Sequence, residues 1–264
     1  MPLLVCATPI GNLDDVTLRV LEALRSADVV LCEDTRHTRT LLQRHDIAAR
    51  TLSYHEHNEA ARTAELLPRL AAGETVALVT DAGMPGISDP GARIVRAAIE
   101  AGVPVTVLPG PSAVETALVA SGLVGERYQF LGFLPRGQKA WAELVGVAWP
   151  SVAFESPQRL PETLRSLAAF DPAREVAVCR ELTKRFEEVA RGSAAELAER
   201  FADPPKGEIT LVVGPASSAA HVSEDVALAA VAELVEAGVP RRRAAELVAR
   251  VSGIARNRLY RGSL

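Results

Sequence analysis

The sequence predicts an α/β protein with a mostly parallel N-terminal sheet, a mixed-sheet second domain and a small C-terminal helical extension. Three observations carry that expectation. Short aliphatic runs alternate with helix-period segments over the first 121 residues, the pattern of a parallel sheet, in which each crossover needs a helix. After Gly122 the strand-like segments change rhythm, as a sheet with some antiparallel pairing would. Aromatic residues make up only 4% of the 264, against 48% hydrophobic content, so the core is built from small aliphatic side chains. A chain of this length can bury one large or two modest cores.

Taken in order, residues 3–7, Val29–Cys32, 76–80 and Val105–Leu108 read as strands, each a β-branched or aliphatic run. Helical periodicity follows at 14–25, 37–45, 91–101 and 112–121. The cluster of Ser121, Gly122 and Gly125 marks a boundary, which gives an N-terminal α/β domain over 1–121 and a second α/β domain over 122–214. Strand-like segments in the second lie at 128–133, 151–155, 175–180, 186–191 and 208–213, with helices at 158–169 and 193–202. The third part, 215–264, opens in an Ala- and Ser-rich stretch at 214–223 that reads as a linker. Helices are expected beyond it at 224–236, 241–252 and 254–260. No internal repeat of solenoid type is visible.

A net charge of −4 argues against a surface coated for nucleic acid. The average hides an asymmetry. From Arg241 onward seven arginines (Arg241, Arg242, Arg243, Arg250, Arg256, Arg258 and Arg261) face one acid, Glu246, a local net of +6. Residues 221–240 hold four acids and no Lys or Arg, so the basic character is confined to the tail. No run reaches the roughly 18 apolar residues of a membrane span, and Arg19 as first basic residue comes too late for a secretory signal. A cytoplasmic protein without a membrane partner is expected. Cys6, Cys32 and Cys179 lie far apart on apolar runs and read as core thiols. His55 and His57, flanking Glu56, lack cysteine partners, so no metal site is expected.

In an open parallel sheet ligands sit outside the carboxyl ends of the strands, so the loops there are the informative ones. The segment 8–15 has a single glycine, Gly11, and cannot form the G-x-G-x-x-G turn of a dinucleotide site; Asp14 reads as a helix cap. The segment 80–91, TDAGMPGISDPG, is the richest in the chain. Asp89 and Pro90 fit an N-cap and first helical position, whereas Asp81 beside Gly83 and Gly86 points to a ligand held close to backbone. At 109–115, Ser112 and Glu115 have the spacing of a capping box. The segment Glu33, Asp34, Thr35, Arg36, His37 is dense in groups that accept or donate protons, although charged helix starts are also common on surfaces.

The stretches ATPIGNLDDVTLR, CEDTRHTRTLL, YHEHNE, TDAGMPGISDPG, PGPSAVETAL, FLGFLPR, FESPQRL, CRELTKRFEE and KGEITLVV, ordered along residues 3–213, span about four-fifths of the chain. Together they resemble the tetrapyrrole methylase superfamily, and specifically the ribosomal RNA small subunit methyltransferase I family. The resemblance implies a homodimer of two-domain, tetrapyrrole-methylase-like subunits with S-adenosylmethionine in the cleft between domains. It implies methyl transfer to the 2′-oxygen of a cytidine in the decoding region of 16S rRNA, with 16S rRNA or the 30S subunit as partner. On the matching positions it implies a cofactor site of Pro9, Asp81, Met84, Ile87, Ser112, Ala113 and Phe133, closed by Arg180, Lys206 and Gly207. Thr80, Met84, Phe154 and Gln158 depart from the family pattern, which usually has Ser, a small hydroxyl residue, Tyr and His there. The Phe154 and Gln158 departures weaken any proton-transfer role at those two positions.

Transfer from a sulfonium needs alignment and exclusion of water rather than a metal, but a ribose hydroxyl must lose its proton to a base. The candidates for that base are Glu33, Asp34 and His37. Arg36 and the Arg180–Glu181 pair are candidates to place the RNA, the alternative for Arg180, Glu181 and Lys184 being an interdomain ion-pair network. In the tail, Arg241, Arg242, Arg243, Arg256 and Arg258 suit phosphate contacts, against the alternative of a solvated helical face. A tetrapyrrole methyltransferase and a non-enzymatic RNA-binding assembly factor are the competing functions.

Overall fold

A computed structural model of the chain describes residues 2–134, 147–216, 224–252 and 254–262. Most of the linker expected at 214–223, and the end of the FLGFLPR stretch, lie outside the described residues. Met1–Pro215 forms one compact unit and Ala216–Leu264 another.

The larger unit holds two five-stranded sheets. In the first, β1 (Leu3–Cys6), β2 (Val29–Cys32), β3 (Thr51–Ser53), β4 (Val76–Leu78) and β5 (Val105–Leu108) are arranged β3-β2-β4-β1-β5. Every pairing is parallel, with Leu3 opposite both Val76 and Val105. Strands β1, β2 and β4 are buried at every position, as a sheet covered on both faces requires. Alternate residues feed opposite cores. Leu4, Cys6 and Val30 pack with α1 (Leu18–Ser26) and α2 (Thr35–Arg44), while Leu3, Val5 and Leu31 pack with α3 (Glu59–Ala71) and α4 (Ala92–Glu100).

Strand β3 and helix α3 escape the sequence reading. The strand is a half-buried edge of three residues, and the helix carries Pro68 in its interior, a residue that reads as a helix breaker. Three expected caps are also corrected. Thr17 caps α1 and Asn12 caps the short 3-10 turn Leu13–Asp15, whereas Asp14 is paired with Arg44 at 2.8 Å. Helix α4 begins after Gly91, at φ 142°, so Asp89 and Pro90 are neither its cap nor its first turn. Ser112 does sit at the N-cap of α5 (Ala113–Ser121), but its hydroxyl donates to the Glu115 carboxylate instead of accepting from the backbone.

The second sheet contains β6 (Gln129–Phe133), β7 (Ser151–Glu155), β8 (Glu175–Arg180), β9 (Glu188–Ser193) and β10 (Ile209–Val213) in the order β6-β7-β10-β8-β9. Only β6 and β7 run parallel; the other pairings are antiparallel. One face carries α6 (Leu160–Phe170) and α7 (Ala194–Arg200), packed through Leu160, Leu164, Leu167 and Leu197 against Val176, Val178 and Leu211. The other receives α5 from the first half of the chain, through Val114, Ala117 and Leu118 against Val152, Ala177 and Val212. All three cysteines are buried and unbridged, and burial pushes the thiols of Cys6 and Cys179 up to about 12.

Among its described residues the smaller unit has three helices, α8 (Glu224–Glu236), α9 (Arg241–Ser252) and α10 (Arg256–Gly262), closed on Ala227, Val231, Ala244, Ala245 and Leu259. Among the described residues no helix is long and apolar enough to cross a membrane.

At the carboxyl end of β7 the Glu155 side chain is fully buried. It accepts from the Thr163 hydroxyl at 2.6 Å and the Ser156 amide at 2.8 Å, and lies 3.3 Å from Arg159. Removing one partner of such a set strands the others away from water. Glu155→Ala is expected to lower unfolding free energy by about 3 kcal/mol, read by urea denaturation; a loss below about 1 kcal/mol would show that the carboxylate is solvated.

Candidate functional site

The loop after β4 is held by the loop after β1. Thr8 and Gly83 form an isolated antiparallel bridge, with Thr8 N donating to Gly83 O at 2.8 Å and Gly83 N returning to Thr8 O at 3.1 Å. The Thr8 hydroxyl also donates to Thr80 O at 2.9 Å. Gly83 sits at φ 80° and Gly86 at φ 84°, conformations that a side chain would strain. A Cβ at Gly91 would come within 3.1 Å of both the Gly86 amide and the Leu78 side chain, so the loop doubles back tightly on itself. Ser88, not a glycine, is also left-handed at φ 60°, a strain of order 1 kcal/mol of the kind found at ligand clamps.

The carboxyl ends of the first sheet face residues of the second across a cavity of about 580 Å³, a typical small-molecule size. The first-sheet side supplies Ile10, Glu33, the loop 81–84 with 87–89, and Ser112 to Val114 at the start of α5. The other side supplies Phe133, Phe154, Leu182, Gly207 and Thr210. Phe154 contacts Phe130 and Phe133 edge-on, with ring centroids 5.1 Å and 5.4 Å apart. The walls are mostly apolar and the polar groups few, so the cavity can bury a flat apolar body and orient it by a handful of bonds.

Those polar groups are mainly acids. Burial raises the Glu33 carboxyl above its ordinary range, and the Asp81 charge adds to the rise, while Thr80 and His55 oppose it. Burial and then the Glu33 charge push Asp89 up to about 6, with Thr80 acting against the rise. Asp81 accepts from the Asp34 amide at 3.2 Å, which ties the end of β4 to the end of β2. The Thr80 hydroxyl is buried without a well-formed hydrogen bond, and so is Nδ1 of His55.

Of the residues expected at a cofactor site, Asp81, Met84, Ile87, Ser112, Ala113, Phe133 and Gly207 all line this cavity. Pro9, Arg180 and Lys206 do not. Pro9 is buried beside the cavity's Ile10, Lys206 is exposed, and Arg180 is committed to Glu188 at 2.9 Å and to Lys206 O at 3.2 Å. Of the expected bases only Glu33 lines it. Asp34 caps α2 and pairs with Arg36 at 2.8 Å, and that guanidinium holds its carboxyl down to about 2, too weak a base for a hydroxyl. His37 and Arg36 are exposed on α2. Glu181 and Lys184 are in an ion-pair network, but one within the second domain instead of the expected interdomain one: Lys184 reaches Glu181 at 3.0 Å and Glu208 at 2.7 Å.

Asp89, Ile10 and Leu182 are cavity residues that the sequence reading passed over. For Asp89 the Asp-Pro pair gave a misleading helix-start signal, and for the two aliphatics no local signal exists. In the smaller unit, Arg242, Arg243, Arg256, Arg258 and Arg261 are exposed and Arg241 is half-buried; Arg243 pairs with Glu246 at 3.1 Å.

The profile of the family described as Tetrapyrrole (Corrin/Porphyrin) Methylases matches residues 2–198. The chain is 45% identical to Ribosomal RNA small subunit methyltransferase I of Mesorhizobium japonicum, over 98% of this chain and 90% of that one. It is 47% identical to the protein of the same name from Mycobacterium bovis, over 98% and 93%. Among solved structures, uroporphyrin-III C-methyl transferase from Thermus thermophilus complexed with S-adenyl homocysteine matches with a TM-score of 0.59 at 20% identity, covering 81% of this chain and 97% of that one. A diphthine synthase matches with a TM-score of 0.61 at 18% identity, covering 81% and 90%. At those identities the structures speak to the fold, while the profile and the relatives show that this chain belongs to the tetrapyrrole methylase family and, within it, to the ribosomal RNA small subunit methyltransferase I family.

Proposed function

We propose that the chain is an S-adenosylmethionine-dependent methyltransferase of small-subunit ribosomal RNA, and that the acceptor is the 2′-oxygen of a cytidine ribose in 16S rRNA. The observation that carries this reading is the convergence of Asp81, Met84, Ile87, Ser112, Ala113, Phe133 and Gly207 on one cavity, in a chain of this family. The residues present fit the donor. Ile10, Met84, Ile87, Leu182 and Phe133 offer apolar walls for its adenosine, and Asp81 with its acidic neighbours suits its positive charge. When bound, the donor supplies an activated methyl group on a sulfonium.

The chain's own part is to bind, align and keep water out. Backbone at Gly83 and Gly207 allows close approach, since Gly207 sits at φ 97° where any Cβ would overlap the Glu181 side chain. The acceptor hydroxyl needs a carboxylate within reach of the cavity, and Glu33 is the sequence-derived candidate that lies there. RNA is drawn by the exposed arginines of α9 and α10, whose contacts are with phosphate and therefore independent of sequence. The homodimer and the cytoplasmic setting implied by the resemblance belong to the same proposal.

Incubation with labelled donor and either unmodified 30S subunits or a uroporphyrinoid tests the function. Label in 16S rRNA, mapped to a cytidine 2′-oxygen, is the expected result; label in the macrocycle alone would replace the reading with a tetrapyrrole activity. Asp81→Ala is expected to weaken donor binding at least about tenfold, roughly 1.4 kcal/mol, by calorimetry; unchanged affinity would remove Asp81 from the site. Deleting residues 216–264 is expected to weaken RNA binding and flatten its salt dependence, with donor affinity retained. Equal loss of both would make the unit a structural brace.

A further inference from the structure

Asp89 has no part in helix capping, and it is not among the residues that the family resemblance places at the cofactor. It lies on a loop forced into an unusual path by left-handed Ser88 and by Gly91 at φ 142°, and it lines the cavity with Glu33 and Asp81. Glu33 faces it from the end of β2 and Asp81 from the end of β4, while His55 reaches the pair from beyond β3 through Glu33. A group of acids is by itself no site. Here the second observation is Thr80, only 2% exposed, whose hydroxyl lacks a well-formed bond yet is the group opposing the rise at both Glu33 and Asp89. It is a buried hydroxyl just beyond β4, next in the chain to the cavity's Asp81.

We propose that Asp89, on the strained loop lining the cavity, is the proton acceptor for the acceptor hydroxyl. The inference rests on the methyl-transfer reading above. In the step, the hydroxyl oxygen bonds to the methyl carbon as the carbon–sulfur bond breaks with its electron pair onto sulfur. The hydroxyl proton passes to the Asp89 carboxylate and from there to solvent. A carboxylate of ordinary acidity would be a poor base for a hydroxyl; one raised to about 6 is stronger and still ionised at neutral pH. Glu33 is raised too, but in this assignment its negative charge serves to lift Asp89. Asp34 is excluded by its pairing with Arg36, and His37 by its place on the outer surface of α2.

The test is single-turnover methyl transfer from labelled donor to unmodified 30S subunits, from about pH 5 to about pH 9, with donor affinity measured on the same preparations by calorimetry. The unmutated protein should lose rate on the acid side with a midpoint near 6, because only the ionised carboxylate accepts the proton. Asp89→Asn should cost about a hundredfold or more in rate and abolish the acid limb, with a smaller loss of donor affinity than Asp81→Ala; Asp89→Glu should recover part of the rate and of the acid limb. Glu33→Gln should move the midpoint to lower pH by removing a like charge, and Thr80→Val should move it to higher pH by removing a bond to the ionised form. Those opposite shifts decide the matter even if Asp89→Asn does not fold, since a merely structural role would produce neither. Midpoints unmoved in both variants, or an acid limb kept by Asp89→Asn and lost by Glu33→Gln, would overturn the proposal. Donor binding without any transfer to RNA by the unmutated protein would instead sink the functional reading, and this one with it.

Discussion

The packing of helix α5 onto the second sheet is the constraint on which the site depends. Val114, Ala117 and Leu118 pack against Val152, Ala177, Cys179 and Val212, and each fully buried Val or Leu is worth about 1.5–3 kcal/mol. At the far end of the helix Arg191 closes the joint, donating to Ser121 O at 3.1 Å and also to Ala120 O. The exposed ion pairs nearby, such as Lys184 with Glu208, are worth at most about 1 kcal/mol each. Apolar burial therefore dominates the joint. Since Ser112 and Ala113 at the start of the same helix line the cavity, the contact that joins the sheets also fixes the cavity's width.

A second contact sets its depth. Gly11 lies so close to the loop from the second sheet that a Cβ would fall 2.8 Å from the Thr183 hydroxyl and 2.9 Å from Leu182 O. The Asn12 amide donates to that hydroxyl at 2.9 Å. Glu181 and Thr183, on either side of Leu182, are left-handed at φ 52° and φ 64°, and each such residue costs of order 1–3 kcal/mol. The burial of Leu182 between them, against Ile10 and the start of α5, offsets part of that strain. Gly11 is thus a residue of interlobe approach, which explains why a single glycine suffices where a phosphate-binding turn would need three.

Legibility in the sequence followed burial and period. The limits of β2, β5, β7 and β8 agree with their sequence reading to the residue, each having an apolar centre, and those of α8 and α9 do likewise. Strand β3 was illegible because three half-buried residues at a sheet edge carry no pattern. The caps failed for a different reason: Asp14, Asp89 and Ser112 have the right residue type, but Asp14 pairs with distant Arg44, Asp89 faces the cavity, and Ser112 donates to Glu115 on its own helix. In the site, motif-bearing loops were legible as segments. Which of their side chains turn inward was legible only through the family resemblance, because it depends on the bridge between Thr8 and Gly83 and on the packing of α5.

The charge distribution closes the physical account. A cleft bearing Glu33, Asp81 and Asp89 favours a cation and repels phosphate, and in a low-dielectric cavity neither effect is screened as it is on the surface. The same acids that suit a sulfonium would therefore oppose the approach of an RNA backbone. An enzyme joining these two partners needs its phosphate affinity elsewhere, and this chain carries its arginine excess in a separate compact unit with its own core. The two kinds of charge also differ in screening: the attraction of exposed guanidinium groups is long-ranged at low salt and weak at high salt, that of carboxylates in a cavity much less so. A net charge of −4 for the whole chain is thus the sum of an acidic cavity lining and an arginine-rich helical unit.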